Sequence, residues 1–266
     1  VKRCMSSADI LVNNDKIFKE TNGDRVAEDP VEEYGQKIER YLKLIKKPGF
    51  KTPTYDELYM HQACSVALRS LCLKRQVGAI IVRETGKGTI KKNGSKEGPP
   101  KQSYVITTGC NNVPPGAHPC GDDNGGSDCK RDELKNEYIH NTEFCRYCGA
   151  NVKGYDKICK ECNSEIVDFP GRLLDLCQAV HAEEAAILQA AKLGVSVDGT
   201  TLYSSVFPCL LCSKKIISAG IKRVVYLEPY PMKESLEMLD KCDIIVERYE
   251  GVNARAFVRL FLRGEK

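Results

Sequence analysis

The sequence contains no tryptophan, and only 7% of its 266 residues are aromatic. Surfaces that hold single-stranded nucleic acid combine positive charge with aromatic stacking platforms. This composition therefore argues against stable polynucleotide binding. Charge points the same way, because 40 basic and 36 acidic residues leave a net charge of +4, a small excess that does not by itself attract a polyanion. No apolar run approaches the roughly 20 residues of a membrane-spanning helix. The opening VKRCMSSADI lacks the apolar core region of a signal peptide. Together these absences predict a cytoplasmic protein with no membrane partner. A phosphate-binding G-x-x-x-x-G-K-[ST] loop is also missing, since RETGKGT has the Gly-Lys pair without the spacing. The chain begins with Val rather than Met, which reads as a fragment or a processed product.

What the sequence does have is cysteine, 14 in all. In a chain of this length without an export signal, cysteines in Cys-x-x-Cys pairs favour metal ligation in a reducing compartment over disulfides. The apolar fraction of 42% is enough to bury a core of one large domain or two small ones.

ADILVNND (8–15) reads as a short buried strand. Residues 31–45 have helical spacing, with Val31, Tyr34, Ile38, Leu42 and Ile45 on one apolar face. KKPGFKTPT then breaks the chain and is expected to be a linker. Thr54 with Glu57 forms a capping-box pattern for a helix through Leu71. VGAIIV (77–82) and SYVITTGC (103–110) are strands that can pair as a hairpin around a turn-rich connection. Residues 111–171 have little periodicity and read as an insertion. A helix is expected over Leu173–Leu193, closed by Gly194. Beyond it the sequence predicts strand 201–206, helix 209–219, strand 223–227, a short helix near 234–239, strand 242–249 and helix 254–262. This alternation predicts a sheet between helix layers.

Three clusters carry chemistry. CRYCGANVKGYDKICKEC places Cys145, Cys148, Cys159 and Cys162 in two Cys-x-x-Cys pairs. Four thiolates match a closed structural zinc site, with redox or regulatory metal sensing as the alternative. The second cluster joins His181 and Glu183 of AVHAEEAAILQAA to Cys209 and Cys212 of LYSSVFPCLLC, each motif placed at a helix start. Cys209 and Cys212 are three residues apart, so both thiolates share one face of a first helical turn, and Pro208 suits a helix entry. With His181 as third ligand, a zinc ion keeps one tetrahedral position for water, the layout of a catalytic site; a structural zinc or a merely buried set is the alternative. Glu183 would then stand beside the metal as a proton-transfer group. The third cluster is Cys120, Cys129, His118 and His140, whose irregular spacing makes a further metal site a weak expectation. Cys64, Cys72 and Cys177 fall on predicted helices and read as small core residues.

H-x-E followed by P-C-x-x-C is a described signature of zinc nucleobase deaminases. From Tyr55 to Val246 the chain resembles the cytidine and deoxycytidylate deaminase superfamily. RQVGAIIV, HAEEAAILQAA and TLYSSVFPCLLCSKKIISAGIKRVVYLEPY fit its deoxycytidylate branch. The resemblance implies a cytidine-deaminase-like three-layer α/β/α sandwich with a mixed five-stranded sheet and a zinc-ribbon insertion. It implies two zinc ions, one catalytic and one structural, and hydrolytic attack on C4 of cytosine with Glu183 shuttling protons and ammonia leaving. A Gly-Tyr-Asn-Gly-x-Pro stretch shapes the nucleotide pocket in that branch; here Gly109, Cys110, Asn111, Asn112, Val113 and Pro114 stand in its place, with Asn111 kept for the sugar and the Tyr and second Gly replaced. A plain turn is the other reading of NNVPPG. The backbone around Ala182 and Cys209 would hold the base edge. Lys74, Arg75 and Lys233 are candidates for the phosphates, or else solvated surface charges.

ALRSLCLKRQVGA, NNVPPG, VVYLEPYPMKES and YEGVNARAFVRLF look most like bacterial anti-phage deoxycytidine nucleotide deaminases, which carry a P-loop kinase-like domain ahead of the deaminase. This implies dCTP or dCMP as substrate, depletion of dCTP as effect, and an assembly, commonly a hexamer. A housekeeping dCMP deaminase is the alternative role, with a polynucleotide cytosine deaminase or a zinc-ribbon nucleic-acid-binding protein as further alternatives that the composition disfavours. Residues 1–50 are then the end of a kinase-like domain plus linker, or an ordinary extension; 51–266 form the catalytic domain, interrupted by the ribbon insertion at 111–171.

Overall fold

The computed structural model describes residues 8–12, 19–21, 24–26, 30–85, 89–90, 96–97, 102–120, 129–133, 145, 147–152, 158–164, 177–230 and 232–263. They form two compact units. The first comprises Val1–Ser70, Val77–Cys110 and His181–Lys266, and the second Leu71–Gln76 and Asn111–Val180. Among the described residues no helix is long and apolar enough to cross a membrane.

In chain order the elements are β1 (Ile10–Leu11), β2 (Lys19–Thr21), β3 (Asp24–Val26), α1 (Pro30–Lys46), α2 (Tyr55–Ala67), β4 (Gly78–Thr85), β5 (Thr89–Ile90), β6 (Lys96–Glu97) and β7 (Gln102–Cys110). After the second unit come α3 (Ala182–Leu193), β8 (Thr201–Val206), α4 (Leu210–Ser218), β9 (Arg223–Glu228), α5 (Lys233–Lys241), β10 (Ile245–Arg248), β11 (Gly251–Val252) and α6 (Ala254–Phe261). The main sheet has the order β10-β9-β8-β4-β7. β8, β9 and β10 run parallel, whereas β4 is antiparallel to both β8 and β7. The expected hairpin of β4 and β7 therefore forms, with a register shift at Ile81/Val82.

Successive strand side chains alternate faces, and the sheet buries both. Ala79, Ile81, Leu202 and Val224 pack with Ala182, Ala186 and Ala190 of α3, Ile216 of α4 and Leu239 of α5. Ile80, Val82, Tyr203 and Val225 pack against Tyr59, Met60 and Ala63 of α2. The result is the expected sandwich of helices on both faces of a mixed five-stranded sheet.

The structure corrects several element expectations. The helix expected from Leu173 starts at Ala182. Residues 173–176 lie outside the described set, while Val180 donates its amide to the Asn112 carbonyl at 2.9 Å, which holds the approach to the helix extended. Cys177 is consequently not helical, and neither is Cys72, because α2 ends at Ala67 rather than at the expected Leu71. On α1 the expected stripe faces out from Ile38 onward: Ile38, Leu42 and Ile45 are exposed and Tyr34 is half-buried, and among the described side chains of the helix Leu44 is the fully buried one. The cause is polar. Arg40 forms a bidentate pair with Glu57 at 2.9 and 2.6 Å, and Glu57 is 1% exposed. Glu57 also accepts the amides of Thr54, completing the expected capping box, and of Val252. This fork rotates α1 so that Leu44 joins Val252, Ala256 and Leu260. The expected linker is tied down as well, with the Gly49 amide donating to the Leu260 carbonyl at 2.8 Å.

Candidate active site

Two helix N-termini carry the His/Cys set. His181 is the N-cap of α3 and Cys209 the N-cap of α4, both with extended backbone. The first turn of a helix carries unpaired amides and positive potential, which favours thiolate at the N-cap Cys209; Cys212 lies in the same first turn. Gly109 of β7 sets how closely α3 lies on the sheet. A Cβ at this position would come within 2.3 Å of the Ala182 carbonyl oxygen and 2.4 Å of the Ala186 nitrogen, so only glycine permits the approach. The Pro208 carbonyl accepts the Ser235 hydroxyl at 2.8 Å, and Ser235 pairs with Ser213 of α4 at 2.6 Å. An ion pair between Lys215 and Glu184 at 2.5 Å joins α4 to α3.

His181 Nδ1 lies 3.3 Å from both Cys209 Sγ and Cys212 Sγ, and the three ligand atoms fall within 4.8 Å of one another. A tetrahedral zinc with ordinary bond lengths separates N and S ligands by about 3.5 Å, so the donor set fits that ion to within a few tenths of an ångström. Cys209 is pulled down to about 4, first by the hydrogen bond from Cys212 and, against burial, by His181. Cys212 is pushed up by the same shared proton and by burial, and His181 is raised by its bond to Cys209. Such a set readily exchanges its protons for a cation.

Glu183, in the first turn of α3, is 4% exposed. Burial pushes its carboxyl above the usual carboxylate range, with its own backbone amide and His181 opposing. Its Oε2 lies 3.6 Å from Cys212 Sγ, on the side of the ligand set. Its Oε1 accepts the Ser204 hydroxyl at 3.4 Å. The motif search missed Ser204, Ser213 and Ser235, all 0% exposed. The available signal for Ser204 was a hydroxyl on the strand face otherwise occupied by Leu202.

The four-cysteine cluster lies in the second unit. Cys145 Sγ is 3.7 Å from Cys162 Sγ, and Cys148 Sγ is 3.6 Å from Cys159 Sγ, against about 3.8 Å along the edge of a tetrahedral Zn–S₄ site. The two halves repeat one turn. Cys145 and Cys159 donate their amides to Ala150 and Ser164, and accept those of Gly149 and Asn163. Gly149 and Asn163 both have positive φ, 73° and 55°, values that glycine and asparagine tolerate best. Cys145 is lowered to about 6, chiefly by the Cys148 amide and then by the Ser164 hydroxyl.

The second unit also places three of the expected substrate contacts. The Asn111 side chain donates to the Arg75 carbonyl at 2.8 Å, and Lys74 pairs with Asp132. Lys233, at the start of α5 in the first unit, is paired with Glu237 at 3.4 Å, while Ala182 is wholly buried. Of the weak third cluster, His140 lies outside the described residues and His118 is exposed. Cys120 and Cys129 line a small hollow together with Cys72 and Cys177.

Comparison with known proteins agrees with this geometry. Residues 53–228 match the family described as the cytidine and deoxycytidylate deaminase zinc-binding region. Deoxycytidylate deaminase of Schizosaccharomyces pombe is 29% identical over 247 residues, covering 91% of this chain and 54% of the relative. Its Saccharomyces cerevisiae counterpart is 32% identical over 198 residues, covering 74% and 45%. The chain thus spans about half the length of these relatives. The dCMP deaminase structure of cyanophage S-TIM5 is 23% identical, covering 75% of this chain and all of that one, with a TM-score of 0.41. With a zinc-binding family match spanning four of the five strands of the main sheet and the helix starts at His181 and Cys209, this chain belongs to the cytidine and deoxycytidylate deaminase family.

Proposed function

We propose that the protein hydrolytically deaminates deoxycytidine nucleotides, releasing ammonia from C4 of the base. The observation that carries this reading is the three-residue set of His181, Cys209 and Cys212 with the buried Glu183 beside it. When bound there, zinc supplies a Lewis acid that makes water nucleophilic near neutral pH. Glu183, raised by burial, would take one proton of the attacking water on Oε2 and pass it to the ring nitrogen, then take the second proton from the hydroxyl now on C4 and pass it to the amine, which leaves as ammonia as the C4–N bond breaks. The helix starts around Ala182 and Cys209 supply backbone groups for the base edge. Asn111 is the proposed sugar contact, and Lys74, Arg75 and Lys233 are the proposed phosphate contacts. The pairs that Lys74 and Lys233 now make with Asp132 and Glu237 would have to exchange for phosphate.

The substrate class rests on similarity to proteins named deoxycytidylate deaminase. dCMP is accordingly the first substrate proposed, with dCTP beside it on the motif resemblance. Depletion of dCTP against phage is the role that resemblance suggests, and a housekeeping supply of deoxyuridine nucleotide uses the same chemistry. The same proposal includes a structural zinc at Cys145, Cys148, Cys159 and Cys162, a homo-oligomer and a cytoplasmic location. It also takes residues 1–50 as the end of a kinase-like domain, ahead of a catalytic domain over 51–266.

The test offers zinc-loaded protein dCMP, dCTP, CTP, deoxycytidine and single-stranded DNA separately and measures the uracil product. Turnover of a free deoxycytidine nucleotide is expected. Activity on DNA with none on any nucleotide would overturn the reading.

A further inference from the structure

Ser204 lies in the LYSSVFPCLLC stretch but belongs to no candidate ligand set and has no role assigned above, yet it touches the proposed proton-transfer group. It lies on β8, whose neighbouring inward residue Leu202 joins the apolar cluster beneath α3 and α4. Ser204 is 0% exposed, and a hydroxyl in such surroundings is costly unless hydrogen-bonded. Its two contacts have a fixed sense. The Val206 amide donates to Ser204 Oγ at 3.5 Å, which occupies an acceptor position and leaves the hydroxyl proton for another partner. That partner is Glu183 Oε1 at 3.4 Å. Both contacts are long, as hydrogen bonds to catalytic groups often are without substrate, tightening in the complex.

The two oxygens of Glu183 are therefore unequal. Oε1 is held by a side chain of the sheet, and Oε2 faces Cys212 at 3.6 Å. We propose that Ser204 is a positioning residue for the deamination, holding Oε1 so that Oε2 alone carries the travelling proton. This rests on the deaminase reading above. A strand without this hydroxyl would leave the carboxylate its own amide and Cys212 but remove the contact from the sheet that holds Oε1. Substrate affinity would be unchanged, since Ser204 is wholly buried and reaches the reaction only through Glu183.

The test compares Ser204→Val, Ser204→Thr and Ser204→Ala with the wild type, all zinc-loaded. Val and Thr have the same shape and differ in the hydroxyl. Ala removes the hydroxyl with the least change in packing if the larger residues do not fold. With dCMP, Ser204→Val and Ser204→Ala should lower kcat about 10- to 100-fold, the range expected for a lost hydrogen bond to a charged group. KM and zinc content should stay at wild-type values, and Ser204→Thr should restore most of kcat. Equal loss in Val and Thr, or wild-type kcat in Ala, would overturn the proposal. Crystal structures of zinc-loaded wild type and Ser204→Ala give a readout independent of turnover. The Glu183 carboxylate should rotate in the variant, and an unmoved carboxylate would overturn the proposal even if the wild type turned over no cytosine compound. Absence of wild-type turnover would instead count against the deaminase reading.

Discussion

The protein holds two cysteine clusters that look alike in the sequence and are built differently. Cys145, Cys148, Cys159 and Cys162 belong to two short turns held by their own backbone bonds. Among the described residues their large apolar neighbours Tyr147 and Ile158 are exposed rather than packed. His181, Cys209 and Cys212 cap helices that rest on a sheet buried on both faces. On the structural-zinc proposal the first cluster takes its shape from a bound metal, whereas the second is shaped by its helix starts and the buried sheet. The ligand count follows the same division. Four thiolates close a zinc site, whereas two thiolates and an imidazole leave a position for chemistry. The lesson is that the louder motif organises a turn, and the quieter one, spread over two helix starts, is suited to the reaction.

The largest effect that sharpens this comparison is at Glu183. Glu183→Gln should lower dCMP turnover by about 10³-fold, as loss of a general acid–base group does, with zinc content unchanged. Next comes metal removal. Chelation should abolish hydrogen-exchange protection at the amides of Cys145, Gly149, Cys159 and Asn163, because zinc supplies on the order of 10 kcal/mol to such modules. Protection along α3 and β8 should persist, and its loss would erase the distinction between a metal-shaped and a core-shaped site.

Smaller effects probe the core that shapes the open site. Arg40→Ala leaves the Glu57 carboxylate buried without its partner and should cost about 3 kcal/mol in denaturant unfolding. Gly109→Ala drives a methyl against the backbone of α3 and should cost about 1–3 kcal/mol. Its kcat should fall while the cysteine turns keep their zinc. A Gly109→Ala protein with wild-type kcat would show that the seat of α3 does not set the site.

Much of this was legible in the sequence, for identifiable reasons. Strand and helix order followed from periodicity, and the two clusters that could hold a metal followed from spacing, because metal geometry restricts which residues can be three apart. The face of α1 was not legible: Ile38, Leu42 and Ile45 make the better apolar stripe, but the Arg40–Glu57 fork joins residues whose meeting no local pattern encodes. The start of α3 is hard to read because LLDLCQAV continues the helical period, whereas Val180 just ahead of it bridges to Asn112. Ser204 was hidden for a similar reason. A serine in a strand has meaning only once the register sets it under Glu183.

The most direct test of the central claim measures dCMP turnover per bound zinc in Cys212→Ser and in Cys148→Ser. Cys212→Ser should lose the open-site metal and all detectable turnover. Cys148→Ser should lose the ribbon metal and keep turnover at the zinc that remains. Turnover surviving in Cys212→Ser, or vanishing in Cys148→Ser while the His181 site still holds zinc, would contradict the account.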